Sequence, residues 1–367
     1  MSAFGASSHF SSSYRDARER FVQAAQQAGL LVEAKPHPEL GRESEALAMD
    51  IARDGAPDAN SLLILSSGCH GPEGFCGSGV QVAALRDTEW REHVRSQGVA
   101  VLYIHALNPH GFSHLSRVTH ENVDLNRNFQ DFGGPLPDNA GYRELHTLLL
   151  PDTWPPDEAN QQAMAAYRER KGVAAYQAAL SGGQYEFPEG MFFGGHQPTW
   201  SNLAVREVLR THGRRAARIG WIDFHTGLGP SGVGERIYAG PDDATTLARA
   251  KRWWDGGGKS PVTSFYDGSS TSARLSGLLW GAAPQECPQA EFTSIALEYG
   301  TVPILEGLEA LRGDHWLRLH PQAPAELAAA IKQRMRDAFY TDTDTWKEQV
   351  LTQARDAMFQ AVDGLAS

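Results

Sequence analysis

The chain has 367 residues, a formal net charge of −11 at pH 7 and 41% hydrophobic residues. A chain of this length can bury roughly three quarters of its unfolded surface, and the composition is ordinary for a globular protein. The negative charge argues against a general binder of nucleic acid or of anionic membranes, because such binding needs clustered lysine and arginine. We therefore expect neither kind of partner.

The cysteines and the N-terminal residues indicate a compartment. Cys69, Cys76 and Cys287 are odd in number and form no CxxC pattern, which fits a reducing compartment better than a disulfide framework. Residues 1–21 lack the continuous apolar segment of a secretory signal, and no stretch approaches the ~18 apolar residues of a membrane span. These features predict a soluble, cytoplasmic protein.

Strands and helices alternate along the chain. Helices are predicted at 13–28, 78–93, 157–181, 197–212 and 244–258, and from about 303 onward. Strands are predicted in 47–68 (two around a turn) and at 98–109, 218–229, 235–240 and 292–301. A long polar loop covers 108–141, and loops of that length are usually functional or disordered. The alternation predicts an α/β fold with a largely parallel or mixed sheet.

Polar side chains follow the apolar strands at the points where these strands end. His70 and Glu73 follow the strand 62–67, His225 ends a later strand, and Glu298 ends the last strand. In open α/β sheets the ligand crevice lies outside the carboxyl ends of the strands. We therefore expect these four side chains to meet in one crevice. Asn108 and His110 follow the strand 99–107 in the same way.

Two histidines and a glutamate are one of the ligand sets of catalytic zinc, which leaves a fourth position for water. His70, Glu73 and His225 supply such a set, and the glycines of GCHGPEG allow a tight turn. Glu298, which is not needed as a ligand, is the candidate to take and pass on a proton. The alternative is that His70 and Glu73 form only a polar turn after a strand.

The long loop carries arginines next to an asparagine. HENVDLNRNF contains Asn126 and Arg127, and Arg117 lies ten residues before Arg127. Arginine binds a carboxylate through two parallel hydrogen bonds, and a second arginine could face the oxyanion of an attacked carbonyl. The alternative is a solvated loop with local Asx turns.

Four motifs occur in the order HGPE, VDLNRNF, DFHTG and ALEYG. Together they resemble the zinc carboxypeptidase family, the carboxypeptidase A-like metallopeptidases, over roughly 47–305. SGCHGPEGFCGSG resembles a bacterial branch related to the succinylglutamate desuccinylases and aspartoacylases. The resemblance implies a twisted mixed sheet of about eight strands flanked by helices.

The resemblance also implies site residues. His70, Glu73 and His225 match the ligands of one zinc ion, and Glu298 matches the catalytic general base. Asn126 and Arg127 match the pair that binds the terminal carboxylate of the substrate, and Arg117 matches the arginine that polarises the scissile carbonyl. Tyr266 matches the mobile tyrosine that covers the substrate.

The expected organisation is a single catalytic domain over 1–367, with an insert at about 130–217 and a helical tail from about 303. The insert contains FPEGMFFGGHQP, which could narrow the site and disfavours ordinary protein substrates.

The expected function is a zinc-dependent hydrolase that cleaves an amide bond next to a free carboxylate. Its leading form is a carboxypeptidase acting on short peptides. The alternative is a deacylase of N-acyl amino acids, and a third reading is a family member that binds a ligand without turnover.

Overall fold

An eight-stranded sheet organises the protein, whose computed structural model describes residues 5–255 and 260–367. The strands are β1 Val32–Leu40, β2 Ala46–Asp54, β3 Ser61–Ser67, β4 Val99–His105, β5 Arg218–Ser231, β6 Gly234–Tyr238, β7 Val262–Thr263 and β8 Glu291–Gly300. Their order in the sheet is β1-β2-β4-β3-β5-β8-β6-β7. The predicted α/β class with about eight strands is confirmed.

The centre of the sheet is parallel. β4, β3, β5 and β8 are parallel neighbours, whereas β2 joins β4 and β6 joins β8 in antiparallel fashion. Within the parallel part, Ser66 lies opposite Asp223, and His225 lies opposite Glu298. The carboxyl ends of four strands therefore meet at one edge, as their polar termini predict.

Helices flank the sheet and extend beyond it. The first seven are α1 Tyr14–Gln27, α2 Gly74–Arg86, α3 Thr88–Ser96, α4 Pro109–His114, α5 Ala140–Leu149, α6 Glu158–Lys171 and α7 Val173–Ser181. The others are α8 Trp200–His212, α9 Ala244–Trp254, α10 Ala282–Glu286, α11 Ile304–Leu319, α12 Ala325–Phe339 and α13 Asp344–Ala366. Among the described residues, no helix combines the length and the apolar character needed to cross a membrane.

The buried side chains of the described residues form three apolar clusters. Alternate residues of β3 enter different clusters, because successive side chains of a strand point to opposite faces. The first cluster contains Leu63 and Leu65 with α1, α2 and α13, and the second contains Leu62 and Ile64 with α8. The third lies between α5–α7 and the α11–α12 pair.

Two predicted helices are each divided in the structure. The segment predicted as 78–93 is α2 and α3, because the Asp87 side chain accepts a hydrogen bond from the Trp90 N–H and caps a new helix. The segment 157–181 is α6 and α7, separated at Gly172, whose φ of 87° a helix cannot continue.

Some elements of the structure were not predicted from the sequence. Strand β1 was not predicted, because its sequence VEAKPHPEL carries prolines, which strands tolerate only at sheet edges. Helix α5 was also missed, and the loop 108–141 contains α4 and a 3₁₀ turn at Leu125–Arg127. The helix predicted at 244–258 ends at Trp254, and residues 256–258 lie outside the described residues.

Helix α2 packs unusually close to the sheet at Gly77. A Cβ atom on Gly77 would lie 2.6 Å from the Cβ of Ser67 and 3.0 Å from the Cβ of Phe224. Neither neighbour is the mobile end of a long side chain, so the helix itself would have to shift. Because α2 begins directly after Glu73, this contact holds the candidate ligand against the sheet.

We expect Gly77→Ala to lower the free energy of unfolding by about 1–3 kcal/mol, since overpacking outweighs alanine's better helix propensity. Chemical denaturation measures the change. Gly281→Ala is the control, because a Cβ there meets no atom within 4 Å, and it should stay within about 0.5 kcal/mol of the parent protein. Equal stability of the two variants would contradict the close-packing argument.

Candidate metal centre

The turn between β3 and α2 carries two of the predicted ligands. A Cβ on Gly71 would lie 2.1 Å from the backbone of Gly111 and 2.3 Å from the carbonyl oxygen of Ser116, so only glycine fits there. The turn therefore rests directly on the loop after β4. This contact fixes the backbone between His70 and Glu73.

His70, Glu73 and His225 come together below the surface. The Glu73 carboxylate lies between the two imidazoles: its Oε1 is 2.8 Å from Nδ1 of His70, and its Oε2 is 2.9 Å from Nδ1 of His225. The exposed fractions of the three residues are 4%, 2% and 3%. Their potential ligand atoms all lie within 4.8 Å of one another, which is a spacing that one metal ion could span.

One aspartate holds the far side of each imidazole. Nε2 of His70 is 3.2 Å from Oδ1 of Asp124, and Nε2 of His225 is 2.6 Å from Oδ2 of Asp223. When each Nε2–H donates to its carboxylate, each Nδ1 keeps a free lone pair that faces Glu73. Metal-binding histidines are oriented in this way, so these residues fit a metal ion.

Neither Asp124 nor Asp223 was recognised in the sequence. Asp223 lies two residues before His225 on the same strand, so the side chains share one face of the sheet, and this spacing could have revealed it. Asp124 stands in VDLNRNF, whose Asn126 and Arg127 are the predicted carboxylate-binding pair. No local pattern links Asp124 to His70, which is 54 residues away.

A buried hydrogen-bond chain supports Asp223 in turn. Nε1 of Trp221 donates to Oγ of Ser66 at 2.7 Å, and Ser66 donates to Oδ1 of Asp223 at 2.5 Å. The two oxygens of Asp223 thus have separate partners, Ser66 on β3 and His225 on β5. This arrangement joins the centre to the two middle strands.

Glu298 faces the centre from β8 and lies outside the group of three. Its Oε1 accepts a hydrogen bond from the N–H of Leu228 at 3.1 Å, and the residue is 8% exposed. Burial, followed by the negative charge of Glu73, raises the pKa of Glu298 to about 8.

Arg117 lies next to the group of three and is held by carboxylates. Its Nε donates to Oδ2 of Asp124 at 2.9 Å, and its Nη1 lies 3.5 Å from Oε1 of Glu73. The guanidinium carbon sits 4.9 Å above the centre of the Phe192 ring. Arg117 is therefore fixed beside the centre. It lines the cavity onto which His70, Glu73 and His225 also face.

Asn126 and Arg127 also line the cavity, but their partners are backbone groups. Oδ1 of Asn126 accepts a hydrogen bond from the N–H of Leu279 at 2.9 Å. The Arg127 guanidinium donates through Nη1 to the carbonyl of Asn126 and through Nε and Nη2 to the carbonyl of Ser181. These bonds orient the guanidinium and leave its charge without a bonded carboxylate among the described residues.

Tyr266 is not brought to the other site residues in this structure. Its hydroxyl donates to the carbonyl of Gly240 at 3.1 Å, and the Arg274 guanidinium lies over its ring. Its neighbour Phe265 lines the cavity in its place. Tyr266 would have to release Gly240 before it could cover a substrate.

Cys69, beside His70, is completely buried in the second apolar cluster. Its sulfur also lies within 4.8 Å of ligand atoms of Asp223 and His225. Burial, followed by the negative charge of Asp223, raises the pKa of the Cys69 thiol. This favours a packed thiol over a further ligand.

The cavity at the centre is small and mostly apolar. It offers about 110 Å³ to the centres of water molecules, roughly ten times the space that one water needs. Its lining contains His70, Glu73, His225, Glu298, Arg117, Asn126 and Arg127, surrounded by aliphatic and aromatic side chains. A few convergent polar groups in an apolar pocket are typical of a small-molecule site.

Sequence comparison gives a family for the chain. The family model described as "Protein of unknown function (DUF2817)" matches residues 10–353. The chain belongs to this family. No curated protein matches the sequence.

Solved structures give the fold of this DUF2817 chain. The structure of bovine thrombin-activatable fibrinolysis inhibitor in complex with tick carboxypeptidase inhibitor aligns with 97% of this chain and 98% of that chain, at a TM-score of 0.52 and 10% identity. Carboxypeptidase A from Helicoverpa armigera aligns over 89% of this chain and 74% of its own chain, with a TM-score of 0.44 and 13% sequence identity. A third structure is metallo-carboxypeptidase from Pseudomonas aeruginosa in complex with (2-guanidinoethylmercapto)succinic acid. It aligns over 95% of this chain and 69% of its own chain, with a TM-score of 0.43 and 13% sequence identity.

The first of these comparisons confirms the expected fold, because it covers almost all of both chains. The match to DUF2817 agrees with the separate branch indicated by SGCHGPEGFCGSG. At 10% identity the likeness shows the fold alone.

We expect Asp223→Asn to weaken zinc binding by about 10–100-fold, because an amide no longer fixes the proton of His225 on Nε2. Titration against a chelator of known affinity measures the change. Asp50→Asn is the matched control: Asp50 is also a buried aspartate on a strand, but it pairs with Arg18 at 2.7 Å. Equal zinc affinity of Asp223→Asn and the parent protein would show that this hydrogen bond does not tune the centre.

Proposed function

We propose that the protein is a zinc-dependent hydrolase that cleaves an amide bond next to a free carboxylate. The observation that carries this proposal is the pair of imidazoles whose Nδ1 atoms face Glu73 while aspartates hold their Nε2 atoms. A buried carboxylate outside that set, Glu298, lies beside it. Together these groups supply a metal site and a separate base.

His70, Glu73 and His225 are the proposed ligands of one zinc ion. When bound, zinc supplies a Lewis acid that polarises a carbonyl and makes water a better nucleophile. Three protein ligands are the usual number for catalytic zinc. Asp124 and Asp223 keep the two imidazoles in the tautomer and orientation that binding needs.

Glu298 is the proposed general base. Burial and the charge of Glu73 raise the pKa of Glu298 above that of a free carboxylate, to about 8, which makes its ionised form a stronger base. It takes a proton from the attacking water and delivers it to the leaving amine. The hydrogen bond from the Leu228 N–H fixes one oxygen and leaves the other for this transfer.

Arg117 and Arg127 are proposed to act on different parts of the substrate. Arg117 stabilises the negative charge that develops on the attacked carbonyl oxygen. Arg127 and Asn126 hold the substrate's carboxylate, since three of the five guanidinium N–H groups bind backbone carbonyls and two remain. In this proposal Tyr266 covers the substrate only after it leaves Gly240.

Two substrate classes fit these roles: short peptides, cleaved by carboxypeptidase action, and N-acyl amino acids, cleaved by a deacylase. Both carry the carboxylate that Arg127 would bind. A non-catalytic binding protein is the weaker alternative, because the three ligand side chains and the base are all present.

We also propose that the whole chain forms one catalytic domain. Support comes from the third apolar cluster, in which helices of the insert pack against the C-terminal α11 and α12. Both parts also contribute lining residues to the cavity, such as Phe192 and Leu308.

Metal analysis tests the ligand assignment. We expect about one zinc per chain in the parent protein and loss of that zinc in His225→Ala, because a neutral imidazole is one of three ligands. His93→Ala is the control, since His93 pairs with Asp363 away from the cavity. Absence of metal in the parent protein after zinc is supplied would make His70 and Glu73 a polar turn.

Turnover tests the base. Glu298→Gln should keep its zinc and lose about 10²–10⁴-fold in kcat, because the amide cannot accept the water's proton. Glu235→Gln, on the neighbouring strand and opposite Glu298, should retain activity. The assay follows amine release from a panel of short peptides and N-acyl amino acids; no release from any of them by the zinc-loaded protein would leave the binding-protein alternative.

A further inference from the structure

Helices α11 and α12 hold the backbone that carries Arg117. Oγ of Ser116, the residue before Arg117, donates to Oδ2 of Asp314 on α11 at 2.7 Å. Nζ of Lys332 on α12 donates to the carbonyl of Leu115 at 3.4 Å and to Oδ1 of Asp314 at 2.5 Å. Ser116 and Asp314 are both buried, so water does not compete for their bond. The chain just before Arg117 is therefore tied to the two helices.

A further bond from α11 holds the chain on the other side of Arg117. Nη2 of Arg318 donates to the carbonyl of His120 at 2.5 Å. Asp314 and Arg318 are four positions apart, so they are neighbours on one face of the helix. That face binds the chain at Ser116 and at His120, and Arg117 lies between these two points.

The same helix supports the ring beneath the guanidinium. Nε2 of His315 donates to the carbonyl of Glu189 at 2.6 Å. Glu189 lies three residues before Phe192, whose ring is 4.9 Å from the guanidinium carbon of Arg117 and attracts its charge. Helix α11 thus holds both the backbone of Arg117 and the loop that covers one face of its guanidinium, while Asp124 holds its Nε.

The polar residues that make these bonds act from outside the cavity. Among the described residues, those that α11 contributes to the lining are Ile304, Gly307, Leu308 and Leu311, none of which is charged. Asp314 and Lys332 therefore act through the loop and do not touch a ligand in the cavity. A buried ion pair adds little stability beyond what apolar residues of the same volume would give. The orientation that it imposes on the loop is the contribution that apolar residues would not supply.

We propose that Asp314 is a positioning residue for Arg117, which it holds in place through Ser116. This rests on the proposed function, in which Arg117 stabilises the negative charge that develops on the attacked carbonyl oxygen. A donor that is already aimed at the developing charge lowers the barrier, because it needs no reorganisation during the reaction. A displacement of about 1 Å can cost about 10²-fold in rate. Helix α11 is then part of the catalytic arrangement although it offers no charged group to the substrate.

Steady-state kinetics of two variants test this role, with whichever substrate the panel of short peptides and N-acyl amino acids identifies. We expect kcat to fall about 10–100-fold in Ser116→Ala and in Asp314→Ala, while KM changes less than about threefold, because Arg117 acts on the transition state. Asp314→Asn should stay within about threefold of the parent protein, since its amide can still donate to Ser116 and accept from Lys332. A loss expressed in KM alone would overturn the proposal.

Ser61→Ala is the matched control for Ser116→Ala. Ser61 is also a buried serine, and its hydroxyl donates to the carbonyl of Leu365 on the C-terminal helix α13 at 3.1 Å. It does not line the cavity, so Ser61→Ala should keep kcat within about twofold of the parent protein. An equal fall of kcat in both serine variants would show a general loosening of the fold and overturn the proposal.

A double-mutant cycle separates positioning from other effects of the aspartate. If Asp314 acts through Arg117, adding Asp314→Ala to Arg117→Ala should lower kcat by less than about a further twofold. Losses that multiply in the double variant would show that Asp314 acts elsewhere and overturn the proposal. Thermal melting checks that each variant folds. Ser116→Ala, which keeps the pair of Asp314 with Lys332, takes the place of Asp314→Ala in the cycle if that variant does not fold.

NMR tests the positioning without any turnover. The Nε–H of Arg117, which donates to Asp124, gives a proton–nitrogen signal that is identified by its loss in Arg117→Lys. With zinc supplied, we expect hydrogen exchange of this group to be at least about tenfold faster in Ser116→Ala than in the parent protein, and unchanged in Ser61→Ala. Faster exchange in a protein that hydrolyses none of the panel would keep the positioning and overturn the proposed hydrolase. Unchanged exchange in Ser116→Ala would overturn the positioning.

Discussion

The centre depends on the hydrogen bonds between two aspartates and two histidines. Asp124 and Asp223 determine which nitrogen of each imidazole faces Glu73. Without them the rings could rotate or change tautomer, and three potential ligands would not converge. Asp223 is itself held by Ser66 on β3, so the orientation of His225 depends on correct pairing of the two middle strands.

Much of this arrangement could be predicted from the sequence. Apolar strands that end in His70, His225 and Glu298 indicate a parallel sheet with a crevice at its edge, and the structure places these residues together. What local patterns did not provide was the partner on the far side of each ring. That information depends on which loop packs against which strand end, as Asp124 and His70 illustrate.

The parts outside the sheet were less predictable for a physical reason. Helix α5 and the third apolar cluster are stabilised by packing between the insert and α11–α12, which are far apart in sequence. Tyr266 was matched by its distance from Glu298 along the chain, yet the structure ties its hydroxyl to Gly240. Sequence spacing gives no information about such a choice of hydrogen-bond partner.

The third apolar cluster has a consequence for how the family can diversify. The groups proposed to carry the chemistry stand on the sheet, the turn after β3 and the loop after β4. Other residues that line the cavity, Phe192, Leu308, Leu311 and Phe339, belong to the insert and the C-terminal helices. Substitutions in those helices can reshape one half of the cavity while the ligands and their aspartates keep their backbone. The same proposed centre could then accept different ligands in different relatives, each distinguished by the helices that cover it.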